Sequence, residues 1–198
     1  MKFVLASKNK KKLEEMNAIL SELGIEVISA AEAGVDIEVE ETGTTFAENA
    51  LLKARAVCKA ASLPAIADDS GLCVDALNGA PGVYSARYGG PELDDIGRYQ
   101  LLLQNMRGMM DRRCKFVSAI SCVFLDGSDL SAIGECHGTL AYAPQGSDGF
   151  GYDPIFFVPE LKKTFAQLSP SEKNAISHRG IALREFKGKL EALLTVDG

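Results

Sequence analysis

One alanine-rich run, which begins at a helix-capping sequence and leads directly to a proline, constrains the fold more than any other feature. Its start, Thr45–Glu48 (TFAE), has the capping-box pattern, and residues typical of a helix continue from there to Ala61. Pro64 disfavours helical backbone in the residue before it, so the apolar residues around Ile66 are predicted to form a short strand. A helix that leads directly into an apolar strand favours an α/β fold.

Periodic hydrophobicity predicts further strands and helices before and after this segment. Strands are predicted at 2–6, 25–29, 35–39, 72–77, 115–125 and 130–142, and helices at 9–23, 94–106 and after Ser169. The sequence DGSD at 126–129 is a hairpin turn signal, so the last two strands are predicted to pair and the sheet to be mixed. Two helices are assigned inward faces, namely Ile96, Tyr99, Leu102, Leu103 and Met106 in one, and Ile181, Leu183, Phe186, Leu190 and Leu193 or Leu194 in the other.

Composition narrows the class of protein. The 198 residues suit a single folded domain over 1–198, with room for a subsidiary lobe, and the net charge of −6 argues against a nucleic-acid partner. The apolar start of the chain is too short for a signal peptide, and no segment approaches the roughly 20 apolar residues that span a bilayer. Five scattered cysteines without a C-x-x-C pair fit reduced thiols rather than a disulfide framework or a zinc site. We therefore expect a cytoplasmic protein with no membrane contact.

The first candidate for chemistry is SKNKKK, residues 7–12, at the junction of the first predicted strand and helix. A helix N-terminus offers unpaired N–H groups, and the lysines here add positive charge, so the segment is suited to hold a phosphate group. The alternative is a basic helix face in contact with water. The segment is not a Walker A loop, since G-x-x-x-x-G-K-[ST] is absent.

A second candidate is a set of carboxylates. Asp68 and Asp69 end the apolar strand at Ile66, and Gly71 after them permits a tight turn. Several carboxylates brought together repel one another unless a cation lies among them, and Mg²⁺ is the cation that matches carboxylates and phosphates. The set also includes the acidic residues Glu38, Glu40 and Glu41, which precede the long helix. For Glu38 and Glu40, an exposed strand edge is an equally good explanation.

Two further segments have the residues of a ligand site. In GFGYDP, 149–154, glycines flank two aromatic residues, which allows close backbone approach and stacking on a base, whereas packing within a hairpin is the alternative. In SEKNAISHRG, 171–180, His178 and Arg179 lie at a helix boundary and can donate hydrogen bonds. The other histidine, His137, lies in a predicted strand and is assigned a structural role.

Four long motifs together resemble one enzyme family. They are EETGTTFAENALLKARA, PAIADDSGLCVDALNGAPGVYSARYGG, GFGYDPIFFVP and SEKNAISHRGIAL, and they are similar in sequence and order to the inosine/xanthosine triphosphate pyrophosphatases. The resemblance extends from the first strand to the last helix. It departs at the first loop, where the family usually has Thr-Gly-Asn and this chain has Ser7-Lys8-Asn9.

The resemblance implies a fold and a reaction. The fold is α/β, an elongated mixed sheet flanked by helices, with two lobes and the active site in the cleft between them. Such enzymes cleave a purine nucleoside triphosphate between its α and β phosphates, which releases a monophosphate and pyrophosphate, with Mg²⁺ as cofactor. The resemblance also implies a homodimer.

The resemblance assigns roles to individual residues. Asp69 is the general base and a metal ligand, and Glu41 is the second metal ligand. The residues implied to bind substrate are Ser7, Lys8, Asn9, Lys10, Lys11, Lys12, Lys53, Ser70, Phe150, Gly151, Tyr152, Asp153, Lys173, His178 and Arg179. A carbonyl at C6 of hypoxanthine or xanthine would accept hydrogen bonds from His178 or Arg179, whereas the amino group of adenine would leave those donors unpaired.

Two other functions stay open at this point. One is a related pyrophosphatase for modified pyrimidines or methylated bases, although such enzymes lack the SHR sequence found here at 177–179. The other is a nucleotide-binding sensor without catalysis, against which the presence of Asp69 and Glu41 argues.

Overall fold

The computed structural model describes residues 1–196 and contains a seven-stranded sheet with the strand order β2-β1-β3-β4-β5-β6-β7. The strands are β1 (Lys2–Leu5), β2 (Glu26–Ser29), β3 (Ala65–Val74), β4 (Arg113–Val123), β5 (Asp129–Leu140), β6 (Phe156–Val158) and β7 (Lys163–Thr164). The helices are α1 (Lys10–Leu20), α2 (Phe46–Ala61), α3 (Asp95–Asn105), α4 (Pro170–Ile176) and α5 (His178–Val196). Strand β1 pairs in parallel with β2 and β3, whereas β6 pairs antiparallel with β5 and β7. The prediction of a mixed α/β fold is therefore confirmed.

The chain divides into two compact units. The first unit comprises Met1–Asp69, Ser118–Gly134 and the residues from Arg179 onward, and the second comprises Ser70–Val117 and Glu135–His178. Within the first unit the side chains of β1 alternate between two clusters, because neighbouring residues of a strand point to opposite faces. Phe3 and Leu5 pack with residues of α1 and α5, whereas Val4 packs with residues of α2. Helices therefore cover both faces of the sheet in this unit.

The second unit has one apolar cluster of its own. Its largest buried side chains come from β3, α3, β4, β6 and the segment before α4 and include Leu72, Leu102, Phe116, Phe156 and Phe165. Three of the aromatic rings contact one another, with centroids 4.6 Å apart for Phe116 and Phe156, and 4.6 Å apart for Phe156 and Phe165.

Capping explains where the helices of the first unit begin and end. The Asn9 side chain accepts hydrogen bonds from the backbone N–H groups of Lys11 and Lys12 at the start of α1, and Gly24, with a φ of +68°, follows the short 3-10 turn after it. The predicted capping box at the start of α2 is present, with Thr45 and Glu48 bonded to each other's backbone N–H groups. The predicted starts of both helices are thus confirmed.

The predicted strand at 35–39 is wrong, since the structure has no regular element there. Val35 is buried, but Ile37 is 38% exposed and the acidic residues Asp36 and Glu38 face water, so the segment lacks the buried face that stabilises a strand. The predicted turn after Asp69 is wrong as well, because β3 continues as extended backbone through Ser70 and Gly71 to Val74.

Three side chains that were assigned to the core are exposed. Ile96 lies in the first turn of α3 and is 52% exposed. Asp94, two residues before Ile96, caps the helix and holds this end at the surface. Leu193 and Leu194 are 42% and 36% exposed, since the apolar stripe of α5 that packs in the core stops at Leu190.

All five cysteines are free thiols, as predicted, and Cys73 is the one that is partly accessible. Among residues 1–196, no helix combines the length and the apolar character needed to cross a membrane.

Candidate active site

Adjacent aspartates in β3 provide the centre of the first group of candidate residues. Asp68 and Asp69 are 1% and 8% exposed, and because they are neighbours in a strand their side chains leave the backbone in opposite directions. They consequently have different partners, and those partners distinguish their chemistry.

Both carboxylate oxygens of Asp68 are bonded, by two cations and a hydroxyl. Its Oδ2 atom accepts a hydrogen bond from Arg179 Nε at 2.7 Å and lies 3.1 Å from Lys12 Nζ, while its Oδ1 accepts from Ser118 Oγ at 2.8 Å. Burial alone would raise the pKa of Asp68, but Arg179 and Lys12 outweigh burial and hold the pKa well below its usual value. Asp68 is therefore a permanently ionised anchor for two cations and is unsuited to accept a proton.

Asp69 is bonded on one side only. Its Oδ1 accepts from Lys53 Nζ at 2.7 Å, whereas its Oδ2 is buried and has no hydrogen-bond partner within residues 1–196. Burial raises the pKa of Asp69, Lys53 opposes this, and the negative charge of Glu41 adds to the increase. An unpartnered carboxylate oxygen with a raised pKa is suited to accept a proton.

Lys53 joins this carboxylate to a second one. Its Nζ lies 2.9 Å from Glu41 Oε1 and 3.4 Å from the backbone oxygen of Asp68, in addition to its contact with Asp69. Burial would lower the pKa of Lys53, but Asp69 and Glu41 outweigh burial and raise it. The structure therefore brings together three residues that the motifs had predicted separately.

Glu41 and Asp69 fit a divalent metal ion. Both carboxylates lie on the ammonium group of Lys53, and carboxylate oxygens are the hard ligands that Mg²⁺ prefers. The described part of the chain contains no group of three or more acidic, histidine or cysteine side chains arranged for a metal, and Glu38 and Glu40 are exposed. Any metal here would therefore take the rest of its ligands from water and substrate.

The start of α1 borders a cavity of about 630 Å³ within the first unit. Ser7, Lys8, Asn9 and Lys10 contribute to its lining. The side-chain carbonyl of Asn9 caps the helix, and Ser7 Oγ accepts a hydrogen bond from the backbone N–H of Asn9 at 3.2 Å. These two side chains therefore shape the loop. Lys8 is exposed and pairs with Asp36 at 3.6 Å, and Lys10 and Lys11 are exposed as well.

Lys12 faces away from this exposed group. Its Nζ lies beside the carboxylate of Asp68 and 3.2 Å from the backbone oxygen of the same residue. Burial lowers the pKa of Lys12, against the opposing effect of Asp68. An additional anion, such as a phosphate, would therefore stabilise its charged form.

The second group of candidate residues lies in the second unit and centres on Asp153. Its Oδ2 accepts hydrogen bonds from Lys173 Nζ at 2.6 Å and from the backbone N–H of Phe150 at 2.9 Å. The Lys173 ammonium also lies 4.9 Å from the centre of the Phe150 ring, within cation–π range. Asp153 thus holds both a cation and an aromatic ring in place.

Aromatic stacking and backbone bonds fix the remaining residues of this group. The His178 ring is stacked on Phe116, with centroids 4.6 Å apart and planes inclined by 13°. The Tyr152 hydroxyl donates to the Ser85 carbonyl at 2.7 Å, and burial raises its pKa, so this phenol supports the loop rather than titrating. The Gly151 N–H donates to Asp95 Oδ2 at 2.9 Å.

Ser70 and Arg179 complete the predicted set. Ser70 follows Asp69 in β3 and is half-buried. Arg179 was grouped by resemblance with the base-binding residues, and the structure places its guanidinium in the first unit, beside Asp68. Its predicted contact with substrate stays a prediction.

Several residues that hold these groups in place are not predicted from the sequence. Glu15 accepts from Arg179, Ser118 donates to Asp68, and Phe116 stacks on His178. Glu15 follows Lys12 by three residues and so lies on the same face of α1, which is a signal that the sequence does contain. Ser118 and Phe116 lie in the long strand β4, where nothing in the alternating pattern distinguishes them from core residues.

Comparisons with known proteins agree with this arrangement of motifs. A sequence profile of the Ham1 family matches residues 3–189. A "dITP/XTP pyrophosphatase" of Haemophilus influenzae is 51% identical over 96% of this chain and 98% of its own length, and one of Clostridium perfringens is 45% identical over 98% of both chains. The solved structure of a HAM1 protein from Coxiella burnetii matches with a TM-score of 0.91 and 45% identity, covering 97% of this chain and 99% of the other. Matches over nearly the whole length, in sequence and in fold, show that this chain belongs to the Ham1 family.

Proposed function

We propose that this protein is a nucleoside triphosphate pyrophosphatase that hydrolyses dITP, ITP and XTP to the monophosphate and pyrophosphate and so removes deaminated purines from the nucleotide pool. The observation that carries this proposal is the buried, unpartnered oxygen of Asp69 beside the Lys53 ammonium. The names of the relatives, dITP/XTP pyrophosphatase, support the same activity.

In the proposed reaction Asp69 accepts a proton from the water that attacks the α-phosphorus. A bond forms between the water oxygen and phosphorus, the bond to the bridging oxygen between the α and β phosphates breaks, and pyrophosphate leaves with that electron pair. Lys53 holds Asp69 on its other oxygen, which leaves Oδ2 available for the water. Lys12 and Lys53 supply fixed positive charge for the phosphates, since both ammonium groups converge on the backbone oxygen of Asp68.

We also propose that the enzyme requires Mg²⁺, held by Glu41 and Asp69. When bound, the ion supplies positive charge that offsets the negative charge of the phosphates and of the departing pyrophosphate. The two carboxylates that converge on Lys53 support this assignment, because a divalent ion is matched to a pair of neighbouring carboxylates.

The second unit is proposed to bind the base. Lys173, held by Asp153, and the Phe150 ring provide a cation and a stacking surface, and His178 is held flat against Phe116. Donors in this group would be satisfied by the C6 carbonyl of hypoxanthine or xanthine and left unpaired by the amino group of adenine. Family resemblance further supports a homodimer in the cytoplasm, and light scattering on the purified protein would test the assembly.

A nucleotide panel with Mg²⁺ tests this function, with pyrophosphate and orthophosphate measured separately. We expect dITP, ITP and XTP to release pyrophosphate far faster than ATP or GTP. Comparable rates on all of them would contradict the base selectivity, turnover of modified pyrimidines alone would favour the related pyrophosphatase, and binding without any pyrophosphate would indicate a sensor.

Asp69→Asn tests the proposed base directly. We expect turnover to fall by at least about 100-fold with nucleotide binding retained, because general-base catalysis contributes roughly 100- to 10,000-fold. Asp129→Asn, which changes an exposed carboxylate of the same unit, is the matched control and should retain full activity. An active Asp69→Asn variant would remove Asp69 as the base.

A further inference from the structure

Arg179 is held between two carboxylates of the first unit. Its side chain is 4% exposed, and its Nη1 donates to Glu15 Oε2 at 2.7 Å while its Nε donates to Asp68 Oδ2 at 2.7 Å. The guanidinium is planar and rigid, so acceptors on two different nitrogens fix both its position and the orientation of its plane.

Helix α1 supplies both a cation and an anion to this cluster. Lys12 and Glu15 are three residues apart and therefore lie on the same face of the helix. Lys12 shares Asp68 Oδ2 with Arg179, so two cations converge on a single carboxylate oxygen. Glu15 supplies the second negative charge, which makes the four-residue cluster electrically balanced.

We propose that Glu15 is a positioning residue for Arg179 and sets the orientation in which this guanidinium meets the nucleotide. This inference rests on the proposed function and on the predicted contact of Arg179 with the nucleotide. Glu15 acts through the guanidinium, to which its carboxylate is bonded.

A purely structural ion pair between α1 and α5 is the competing explanation. The two helices are already joined by apolar packing, since Met16 and Leu20 of α1 lie in the same buried cluster as Leu183 and Phe186 of α5. The Glu15 side chain is 20% exposed, so water screens its charge in part. The pair lies between a surface pair and a fully buried one, so its loss should lower Tm by about 6–12 °C, and kinetic constants measured well below the lowered Tm stay readable.

The test is a double-mutant cycle on dITP hydrolysis with Glu15→Ala, Arg179→Ala and the double variant, together with Glu15→Gln. We expect Glu15→Gln to raise KM by about tenfold with a smaller change in kcat, because the affected contact is made in the ground state as well. In the cycle, the double variant should match Arg179→Ala within about twofold, since Glu15 has no effect once its partner is removed. Glu14→Gln, which neutralises an exposed neighbour on the same helix, should leave KM unchanged.

The inference is overturned if Glu15→Gln keeps a KM within about twofold of the wild type, or if the two alanine effects multiply. If Glu15→Ala does not fold, Glu15→Gln and Arg179→Ala carry the same cycle. A wild type that releases no pyrophosphate from dITP would contradict the proposed function instead. In that case the cycle is read from the calorimetric dissociation constant of dITP, with the same two outcomes for Glu15.

Discussion

Replacing Lys53 by methionine tests how the two proposed metal ligands are held together in the absence of metal. The ammonium is bonded to Asp69 at 2.7 Å and to Glu41 at 2.9 Å, and it is the positive charge that both carboxylates share. Methionine keeps a long apolar side chain in the same space and removes the charge. We expect the variant to be less stable than the wild type in EDTA, because two partly buried carboxylates then face each other without the ammonium group between them.

The size of this loss follows from burial. The side chains of Lys53, Asp69 and Glu41 are 14%, 11% and 24% exposed, which places the cluster between a surface pair and a fully buried one. Breaking a fully buried pair costs about 3–5 kcal/mol and a surface pair about 1 kcal/mol or less, so about 3 kcal/mol is expected here. For a chain of this length that corresponds to a fall in Tm of about 6–12 °C.

Mg²⁺ should restore much of the lost stability, since it replaces the missing positive charge between the carboxylates. A ligand at 100 times its dissociation constant stabilises the folded state by about 2.7 kcal/mol. In the wild type the same ion has to compete with Lys53 for Asp69 and Glu41, so its stabilising effect should be smaller there. The assay is thermal unfolding of both proteins in EDTA and across a Mg²⁺ titration.

Lys59→Met is the matched control, because Lys59 lies on the same helix with an exposed side chain. It should unfold at the wild-type temperature and respond to Mg²⁺ as the wild type does. The reasoning is refuted if Lys53→Met is as stable as this control in EDTA. It is refuted equally if Mg²⁺ stabilises the wild type as much as the variant.

Two further substitutions test the supports of the two candidate groups. Gly149 has a φ of +80°, and a Cβ there would lie 2.1 Å from Asp153 Oδ2. Gly149→Ala should therefore displace the carboxylate that holds Lys173 and raise KM for dITP at least about tenfold. An unchanged KM would refute this role. Ser118→Ala removes the hydroxyl that donates to the buried Asp68 and should lower the free energy of unfolding by about 2 kcal/mol, measured by urea unfolding. A decrease below about 0.5 kcal/mol would contradict the importance of that bond.

Each of these substitutions has a control within the same unit. Gly151 also has a positive φ, +60°, but nothing lies within 4 Å of an added Cβ, so Gly151→Ala isolates the backbone cost from the collision. Ser121 is buried like Ser118 but is bonded to the neutral Ser131 hydroxyl at 2.9 Å, so Ser121→Ala should cost less than Ser118→Ala.

The parts of the fold that the sequence predicts correctly are those governed by local interactions. Asn9 and Thr45 each satisfy backbone N–H groups a few residues away, so the sequence alone contains what is needed to place the starts of α1 and α2. The alternation at 35–39 was equally regular but misleading, because a strand is stabilised by pairing with another strand, and the segment itself does not encode a partner.

The candidate site shows the same division between local and long-range information. Family motifs predict Glu41, Lys53 and Asp69, and the structure brings them into contact. The supporting residues are separated from their partners by much longer stretches of chain, as Glu15 is from Arg179 and Ser118 from Asp68. Their roles depend on tertiary packing, so the sequence gives at most an indirect signal, such as the spacing of Glu15 from Lys12 on one face of α1.

The two adjacent aspartates of β3 show why position in the sequence is a poor guide to chemistry. Both follow the same apolar residues, both are buried, and both carry the same functional group. The strand turns them to opposite faces, where one meets Lys12 and Arg179 and the other meets Lys53 alone. Two cations and a hydroxyl bond both oxygens of Asp68, whereas Asp69 keeps one oxygen unbonded within residues 1–196. Because a carboxylate can take up a proton only at an oxygen that its neighbours leave available, the surroundings assign Asp68 to holding cations and Asp69 to the proposed chemistry.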